Sequence, residues 1–95
     1  MYGTVAHLQA RAGSQAQIEA LAREMRGVEV AGLVADYLYQ LDNTVDEYYM
    51  AVVFETKAAY MANANSPEQD ARYQRLRALL VAAPEWHDSE IVSVG

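Results

Sequence analysis

The chain has 95 residues, of which 53% are hydrophobic, with a formal net charge of −6 and no cysteine. This length suits one domain that dimerisation would help to stabilise. The acidic balance and scattered cations argue against a nucleic-acid surface, which needs clustered Lys and Arg. Without cysteine there are no disulfides and no thiolate nucleophiles or ligands. No apolar run approaches the roughly 20 residues that span a bilayer, and no signal pattern opens the chain, so we expect a cytoplasmic protein.

The first third of the chain predicts a strand followed by a helix and a second strand. Alternation predicts the first strand over residues 2–9, with Gly3 as a weak point. Ser14 stands three residues before Gln17, the spacing of a capping box, so we predict that a helix begins there. Period two returns over residues 33–41 and predicts the second strand. The buried stripe of the helix is predicted to be Ile18, Leu21, Ala22 and Met25.

The segment 47–54 is apolar at alternate positions on both of its faces, and it is the most informative part of the chain. The turn residues 42–44 predict a hairpin between this strand and the preceding one. An antiparallel sheet usually has one dry and one wet face, and the two substantial amphipathic helices can cover only one of them. The other face is therefore predicted to pack against a second copy of the chain. The two faces carry Tyr48, Met50, Val52 and Phe54 on one side and Tyr49, Ala51 and Val53 on the other.

The second half of the chain predicts a split helical region and a last strand. A short helix is predicted over residues 57–63. Ser66 is predicted to cap a longer helix over residues 67–83, with Pro67 at its first position and Gln69 completing a second capping box. Pro84 is predicted to end that helix, and residues 86–94 alternate as the last strand. The order βαββαβ predicts a ferredoxin-like α+β fold with a four-stranded antiparallel sheet in the order 4-1-3-2.

Four short motifs carry a family resemblance: VVFE at 52–55, YMANAN at 60–65, SPEQ at 66–69 and PEWHD at 84–88. With this layout the chain resembles the antibiotic biosynthesis monooxygenase (ABM)-like proteins of the dimeric α+β barrel superfamily. The resemblance implies one ABM-like domain over residues 1–95, a homodimer whose two sheets pack face to face, and a pocket between helices and sheet. Some relatives oxidise polycyclic phenols with molecular oxygen and use no metal or flavin, so it also implies no cofactor.

Other relatives degrade haem, and two features of this sequence count against that activity. Residues 67–83 contain neither His nor Trp, whereas haem-degrading relatives take a proximal His and a Trp from their helical layer. The first strand offers His7 where those relatives have Asn. The resemblance therefore favours oxidation of a phenol over haem breakdown.

His7 is the first candidate for a catalytic role. It lies on the first strand, which should neighbour the last strand, and a histidine near neutral pH can act as acid, base or ligand. The alternative is a core or interface histidine. His87 precedes Asp88, but adjacent strand residues point to opposite faces, so we do not expect these two to form a hydrogen-bonded dyad.

The break between the two predicted helices supplies further candidates. Asn63 is the position that the resemblance carries over as a contact to substrate, with Tyr60 or Tyr73 as orienting donors and Asn65 as a binding residue. The free amides at the start of the following helix favour an anion or a polarised oxygen. Asn63 and Asn65 could equally end the first helix, because Asn tolerates the left-handed conformation. Packing is the alternative for Tyr73.

Aromatic residues elsewhere could line a cavity for a flat conjugated ligand. Tyr37 lies on the second strand and Trp86 opens the last strand as a possible cavity wall. Tyr is also a good strand former and a common interface residue, which is the alternative explanation for the seven tyrosines.

Two functions from different classes follow from these residues. The first is a cofactor-independent monooxygenase acting on a phenol- or hydroquinone-type aromatic, with Asn63, Tyr60, Tyr73 and His7 as catalytic candidates and Tyr37, Trp86 and Asn65 as substrate-binding ones. The second is a non-catalytic homodimeric protein that holds a small ligand or serves assembly alone. The absence of any phosphate loop, nucleophile elbow or histidine pair favours the second, but the family resemblance makes the first the leading hypothesis and the second the alternative.

Overall fold

The fold is described by a computed structural model that covers all 95 residues, Met1–Gly95. Its four strands form one antiparallel sheet in the order β2-β3-β1-β4, which is the predicted order. The ferredoxin-like α+β fold predicted from the sequence is thereby confirmed. The elements in chain order are β1 (Tyr2–Gln9), α1 (Gln15–Met25), β2 (Leu33–Gln40), β3 (Glu47–Phe54), α2 (Lys57–Ala64), α3 (Pro67–Arg77) and β4 (Glu85–Glu90).

Alternation along the strands gives the sheet two different faces. On the helix-facing side, Thr4 of β1 pairs with Val52 of β3 and with Asp88 of β4. Gly3 belongs to the opposite side, and a Cβ added there would lie 1.8 Å from the Val52 carbonyl oxygen, so the close approach of β1 and β3 requires glycine at that position. We call the side away from the helices the outer face; it carries Val5, His7, Ala35, Tyr37, Tyr39, Tyr49, Ala51, Val53, Glu85 and His87.

The core lies between the helices and the middle of the sheet. Ile18 of α1 is buried against the sheet, as its place in the helical stripe predicts. Fully burying a side chain of this kind contributes about 1.5–3 kcal/mol. The largest fully buried side chains are Tyr48, Phe54, Leu8, Ile18 and Leu80.

Helix α3 ends at Arg77, six residues before the predicted end at 83. The reason is tertiary. The backbone of the next residues bonds to the end of β1, through Arg11 N–H to the Leu79 carbonyl at 2.8 Å and Val81 N–H to the Gln9 carbonyl at 2.9 Å. Those groups cannot also serve a helix, so the chain turns there and Leu80 enters the core.

Strand β4 ends at Glu90 rather than at residue 94. Its only neighbour is β1, and the last backbone bond joins Ile91 N–H to the Met1 carbonyl at 2.9 Å.

Two further local details differ from the sequence prediction. Ser14 makes no side-chain capping bond, whereas Ser66 accepts the Gln69 N–H at 3.1 Å as predicted. In β2 the register shifts between Leu33 and Ala35. This bulge places Leu33 opposite Phe54 on the helix-facing side, whereas strict alternation predicts that Leu33 and Ala35 share a face.

None of the three helices has the length and apolar character that a membrane crossing requires.

Candidate functional site

A cavity of about 720 Å³ lies between the three helices and the helix-facing side of the sheet. Of its 27 lining residues, 17 are hydrophobic. Small-molecule sites typically have about 300–1,000 Å³ and a mostly apolar lining with a few placed polar groups. The cavity therefore has the size and character of a small-molecule site.

The polar side chains of α2 lie over the end of the cavity beside β4. Tyr60 donates its hydroxyl proton to Asp88 Oδ1 at 2.8 Å, and its ring packs edge-on against Phe54 with centroids 5.7 Å apart. Burial, and then the hydrogen bond to Asp88, raise the pKa of Tyr60 to about 12. Tyr60 is therefore a neutral phenol at physiological pH, and its proton is committed to the carboxylate.

Asn63 lies at the end of α2, beside the turn into α3. Its side-chain oxygen accepts from Arg72 Nη2 at 3.4 Å, and Arg72 Nε donates to Gln69 at 3.2 Å. A guanidinium only donates, so the Arg72 contact assigns the amide oxygen of Asn63 and leaves its NH₂ group without a protein partner. Ser66 fixes the same turn by donating its hydroxyl to the Asn63 carbonyl at 2.8 Å. The turn therefore presents an amide donor beside the cavity.

Aromatic rings form the wall next to these polar groups. Tyr73 of α3 and Trp86 of β4 lie with their ring centroids 6.2 Å apart, and both line the cavity. Trp86 is 40% exposed and Asp88 is exposed as well, so this side of the cavity borders solvent.

Thr4 is the lining residue for which the fold supplies no close partner. It is 4% exposed, and its hydroxyl has no partner at ordinary hydrogen-bond distance, but it lies close enough to Tyr60 to act as a weak donor that lowers the pKa of Tyr60. It stands directly opposite Asp88 on the neighbouring strand and on the same face, where Cβ atoms of such pairs are about 4.5–5.5 Å apart. Thr4, Tyr60 and Asp88 are called the hydroxyl corner below.

Five of the seven residues predicted from the sequence line the cavity: Tyr37, Tyr60, Asn63, Tyr73 and Trp86. Tyr37 borders the cavity, but its strand position places it in the outer-face series with Tyr39, 6.3 Å away between ring centroids. Asn65 follows α2 as its C-cap, is exposed, and does not line the cavity.

His7 lies on the outer face, opposite the cavity. Its Nε2 is 3.1 Å from Glu47 Oε1, and its ring centroid is 5.1 Å from that of Tyr49. It pairs with Glu85 across the sheet, so it approaches neither Trp86 nor the cavity. A base for a ligand in this cavity must come from another residue. His87 is also on the outer face, 3.1 Å from Glu85, and makes no dyad with Asp88, as alternation predicts.

Sequence reasoning missed Asp88, Thr4 and Arg72 as parts of the site. The signal for Asp88 was present, because it stands two residues after Trp86 and must share the face of that side chain. Thr4 and Arg72 carried no comparable signal, since only the strand register and the turn after α2 bring them to the cavity. No group of three or more His, Asp or Glu side chains is arranged to hold a metal ion.

Comparison with known proteins agrees with this architecture. The family model for antibiotic biosynthesis monooxygenase (ABM) matches residues 1–75, which is most of the chain. One similar solved structure is SnoaB, a cofactor-independent oxygenase from Streptomyces nogalater, in a form with one asparagine replaced by alanine. It has a TM-score of 0.85 and 17% identity, over 98% of this chain and 94% of that one.

Two further solved structures share the fold. The protein of unknown function NE2512 from Nitrosomonas europaea has a TM-score of 0.81 and 16% identity, over 99% of this chain and 91% of that one. A conserved protein from Methanosarcina mazei has a TM-score of 0.81 and 13% identity, over 93% and 89%. At these identities the likeness shows the fold alone. No curated protein matches the chain. By its match to the family model, the chain belongs to the antibiotic biosynthesis monooxygenase family.

Proposed function

We propose that the protein is a cofactor-independent monooxygenase that acts on a phenol- or hydroquinone-type aromatic bound in the cavity. In such a reaction the substrate is its own reductant. Deprotonation gives an anion that passes electrons to oxygen. For a ring methylene, CH₂ and O₂ become C=O and H₂O. For a hydroquinone, a ring C–H, the two O–H groups and O₂ become a hydroxyquinone and H₂O. In both cases one oxygen atom enters the product, the other leaves as water, and no further electron donor is needed.

The observation that carries the proposal is the convergence of Tyr60, Asn63, Tyr73 and Trp86 on one mostly apolar cavity. These four residues are among those that the sequence predicts for the site. An apolar cavity strengthens the few polar interactions inside it, because the local dielectric is low. SnoaB, a cofactor-independent oxygenase with the same fold, adds support by analogy.

Asn63 is assigned the role of stabilising the negative charge that develops on the substrate oxygen. Arg72 donates to its amide oxygen at 3.4 Å, which favours an orientation that leaves the NH₂ group free for a substrate oxygen. A donor oriented in advance costs no reorganisation at the moment of reaction, and loss of one such donor commonly lowers turnover by about 10²–10³.

The test compares Asn63→Ala with Asn65→Ala, since Asn65 is the exposed neighbour that does not line the cavity. Oxygen uptake is measured with chelator-treated protein on anthrones and naphthohydroquinones, and circular dichroism checks that both variants are folded. We expect Asn63→Ala to lose about 100-fold in turnover and Asn65→Ala to retain wild-type turnover. Equal turnover in the two variants would remove Asn63 from the proposed chemistry.

We further propose that the protein is a homodimer that buries the outer face of its sheet. The outer face is exposed in the single chain although it is largely apolar and aromatic: Val5 is 47% exposed, Tyr49 43% and Tyr39 57%. A contiguous apolar patch of this kind is typical of a protein interface. The occupant proposed is a second copy, because the strand β3 that carries Tyr49, Ala51 and Val53 has apolar side chains on both faces.

A cavity of this character would also suit a protein that binds a small aromatic molecule without reacting with it. Saturable binding of the same aromatics without protein-dependent oxygen uptake would favour that second function.

A further inference from the structure

We propose that Asp88, acting through the hydroxyl of Tyr60, accepts the proton that the substrate must lose, and that Thr4 supports this transfer as a positioning residue. The inference rests on the proposed oxygenase function and deepens it, because it specifies that the substrate presents a neutral hydroxyl to the hydroxyl corner. It also replaces His7, which lies on the outer face, as the source of the base.

The direction of the Tyr60 hydrogen bond decides what this residue can offer a ligand. Tyr60 donates to Asp88 Oδ1 at 2.8 Å, so its hydroxyl has no proton left for a ligand. What Tyr60 can offer a ligand is a lone pair on Oη. A lone pair beside a cavity accepts a hydrogen bond from a substrate hydroxyl and gives nothing to a carbonyl or an ether. The Tyr60 oxygen therefore selects a donor.

The proton transfer balances through Tyr60 and Asp88. The substrate O–H proton moves to Tyr60 Oη as the original Tyr60 proton moves to Asp88 Oδ1. The substrate becomes an oxyanion, Asp88 becomes a neutral carboxylic acid, and Tyr60 ends as it began. No tyrosinate has to form. Asp88 is exposed, so it can return the proton to water.

The other carboxylates of the cavity differ from Asp88 in their contacts. Glu19, Asp36 and Asp70 also line the cavity. None of these three carboxylates forms a side-chain hydrogen bond or ion pair with another group of the cavity. Asp88 alone among the four is hydrogen-bonded to a residue that lies over the cavity, so the structure distinguishes it from the others as a base.

The buried hydroxyl of Thr4 is placed to support this transfer. A buried hydroxyl without a partner is uncommon, because it has lost its bonds to water and gained none. Thr4 stands opposite Asp88 and on the same face of the sheet as Phe54, against which the Tyr60 ring packs. While the proton passes, Tyr60 Oη gains partial negative charge, and a hydroxyl at this position can turn to donate to it. The Thr4 hydroxyl then has Tyr60 Oη as its hydrogen-bond partner during the reaction.

The experiment uses Asp88→Asn, with Glu90→Gln as the matched control, because Glu90 lies two residues further along β4 on the same face and does not line the cavity. Oxygen uptake is measured at one pH on two hydroquinones, one protonated in the buffer and one made acidic enough by its substituents to be already an anion. The proposal predicts that Asp88→Asn lowers kcat about 100-fold on the protonated substrate, with KM little changed, and matches Glu90→Gln on the ionised one.

The ionised substrate is also the internal control for folding, since a damaged protein would be slow on both. Equal rates of Asp88→Asn and Glu90→Gln on the protonated substrate would overturn the proposal and leave the oxygenase standing. A loss of equal size on both substrates would also overturn it, because it would indicate a structural role.

Thr4 is tested by Thr4→Val, which keeps the shape and removes the hydroxyl, and by Thr4→Ser, which keeps the hydroxyl. Thr4→Val should lower kcat about fivefold to tenfold on the protonated substrate, the effect of one hydrogen bond, without lowering the melting temperature. Thr4→Ser should restore the rate. A wild-type rate in Thr4→Val would remove Thr4 from the transfer.

A binding measurement separates this proposal from the oxygenase itself. Calorimetry without oxygen compares 1-naphthol with 1-methoxynaphthalene, which has no proton to donate. Wild type and Glu90→Gln should prefer the naphthol, and Tyr60→Phe should lose that preference. If this pattern appears without any oxygen uptake, the oxygenase fails and the hydroxyl site stands. If wild type binds both equally, the hydroxyl corner is not a hydroxyl site and the proposal fails whether or not oxygen is consumed.

Discussion

A charge placed on the outer face should separate the proposed dimer without unfolding its subunits. Val53 lies on that face between Gly3 of β1 and Ala35 of β2. In the separate subunit, the carboxylate of Val53→Glu can reach water from the uncovered face. In the dimer it would be buried without a partner, a condition that costs about 3–5 kcal/mol. Burial of one carboxylate alone corresponds to a rise of about 10²–10⁴ in the Kd of the dimer. Each dimer would bury two such carboxylates, one from each subunit.

Val52 and Val45 provide the control positions. Val52→Glu places the charge on the cavity side, so it should lower the free energy of unfolding and leave association of the folded protein intact. Val45→Glu, in the turn between β2 and β3 where Val45 is 57% exposed, should change neither property. Sedimentation velocity over a concentration series gives the Kd, and urea unfolding gives the stability. A wild type that is monomeric at high concentration, or a Val53→Glu variant with the Kd of wild type, would refute the reasoning.

The remaining predictions concern a cap and a titration. Ser66→Ala removes the acceptor of the Gln69 N–H and should lower the free energy of unfolding by about 1 kcal/mol, measured by urea unfolding; Ser14→Ala, which loses no capping bond, should cost less, and equal costs would contradict the assignment of the caps. The raised pKa of Tyr60, about 12, means that the folded state holds this proton more tightly than the unfolded state, whose pKa is near 10. Its contribution to stability is therefore full below pH 10 and is lost as the pH rises to about 12. Tyr60→Phe should reduce the loss of stability between pH 10 and 12. The difference in phenolate absorbance between wild type and variant should titrate with a midpoint near pH 12. A midpoint near pH 10 would contradict the environment described for Tyr60.

The order of the elements was predictable because each strand carries its own alternation. Strands β1 and β3 begin and end where the sequence predicts, since turn or glycine residues flank apolar alternation in both cases. The end of α3 was not predictable in the same way. Residues 78–83 favour helix locally, and only the backbone bonds to Arg11 and Gln9 stop it. Those bonds depend on where β1 ends in space, which local sequence does not encode.

The candidate site was predictable to the extent that its residues lie on one local element. Tyr60 and Asn63 share a short helix, and the Ser66 cap fixes the turn that follows. The misplacement of His7 was avoidable, because Ala6 and Leu8 flank it and are the better core residues, so alternation turns His7 to the other face. The hydroxyl corner could not be predicted from the sequence. Thr4 and Asp88 stand opposite each other only because of the register between the first and last strands.

The measurement that tests the central claim most directly is oxygen uptake by the purified, chelator-treated wild-type protein on a panel of anthrones and naphthohydroquinones. The account predicts protein-dependent uptake above the autoxidation rate, at one O₂ consumed for each carbonyl product formed and with no added metal, flavin or reductant. Uptake no faster than autoxidation, for substrates that calorimetry shows to be bound, would contradict the oxygenase and assign the cavity to ligand binding.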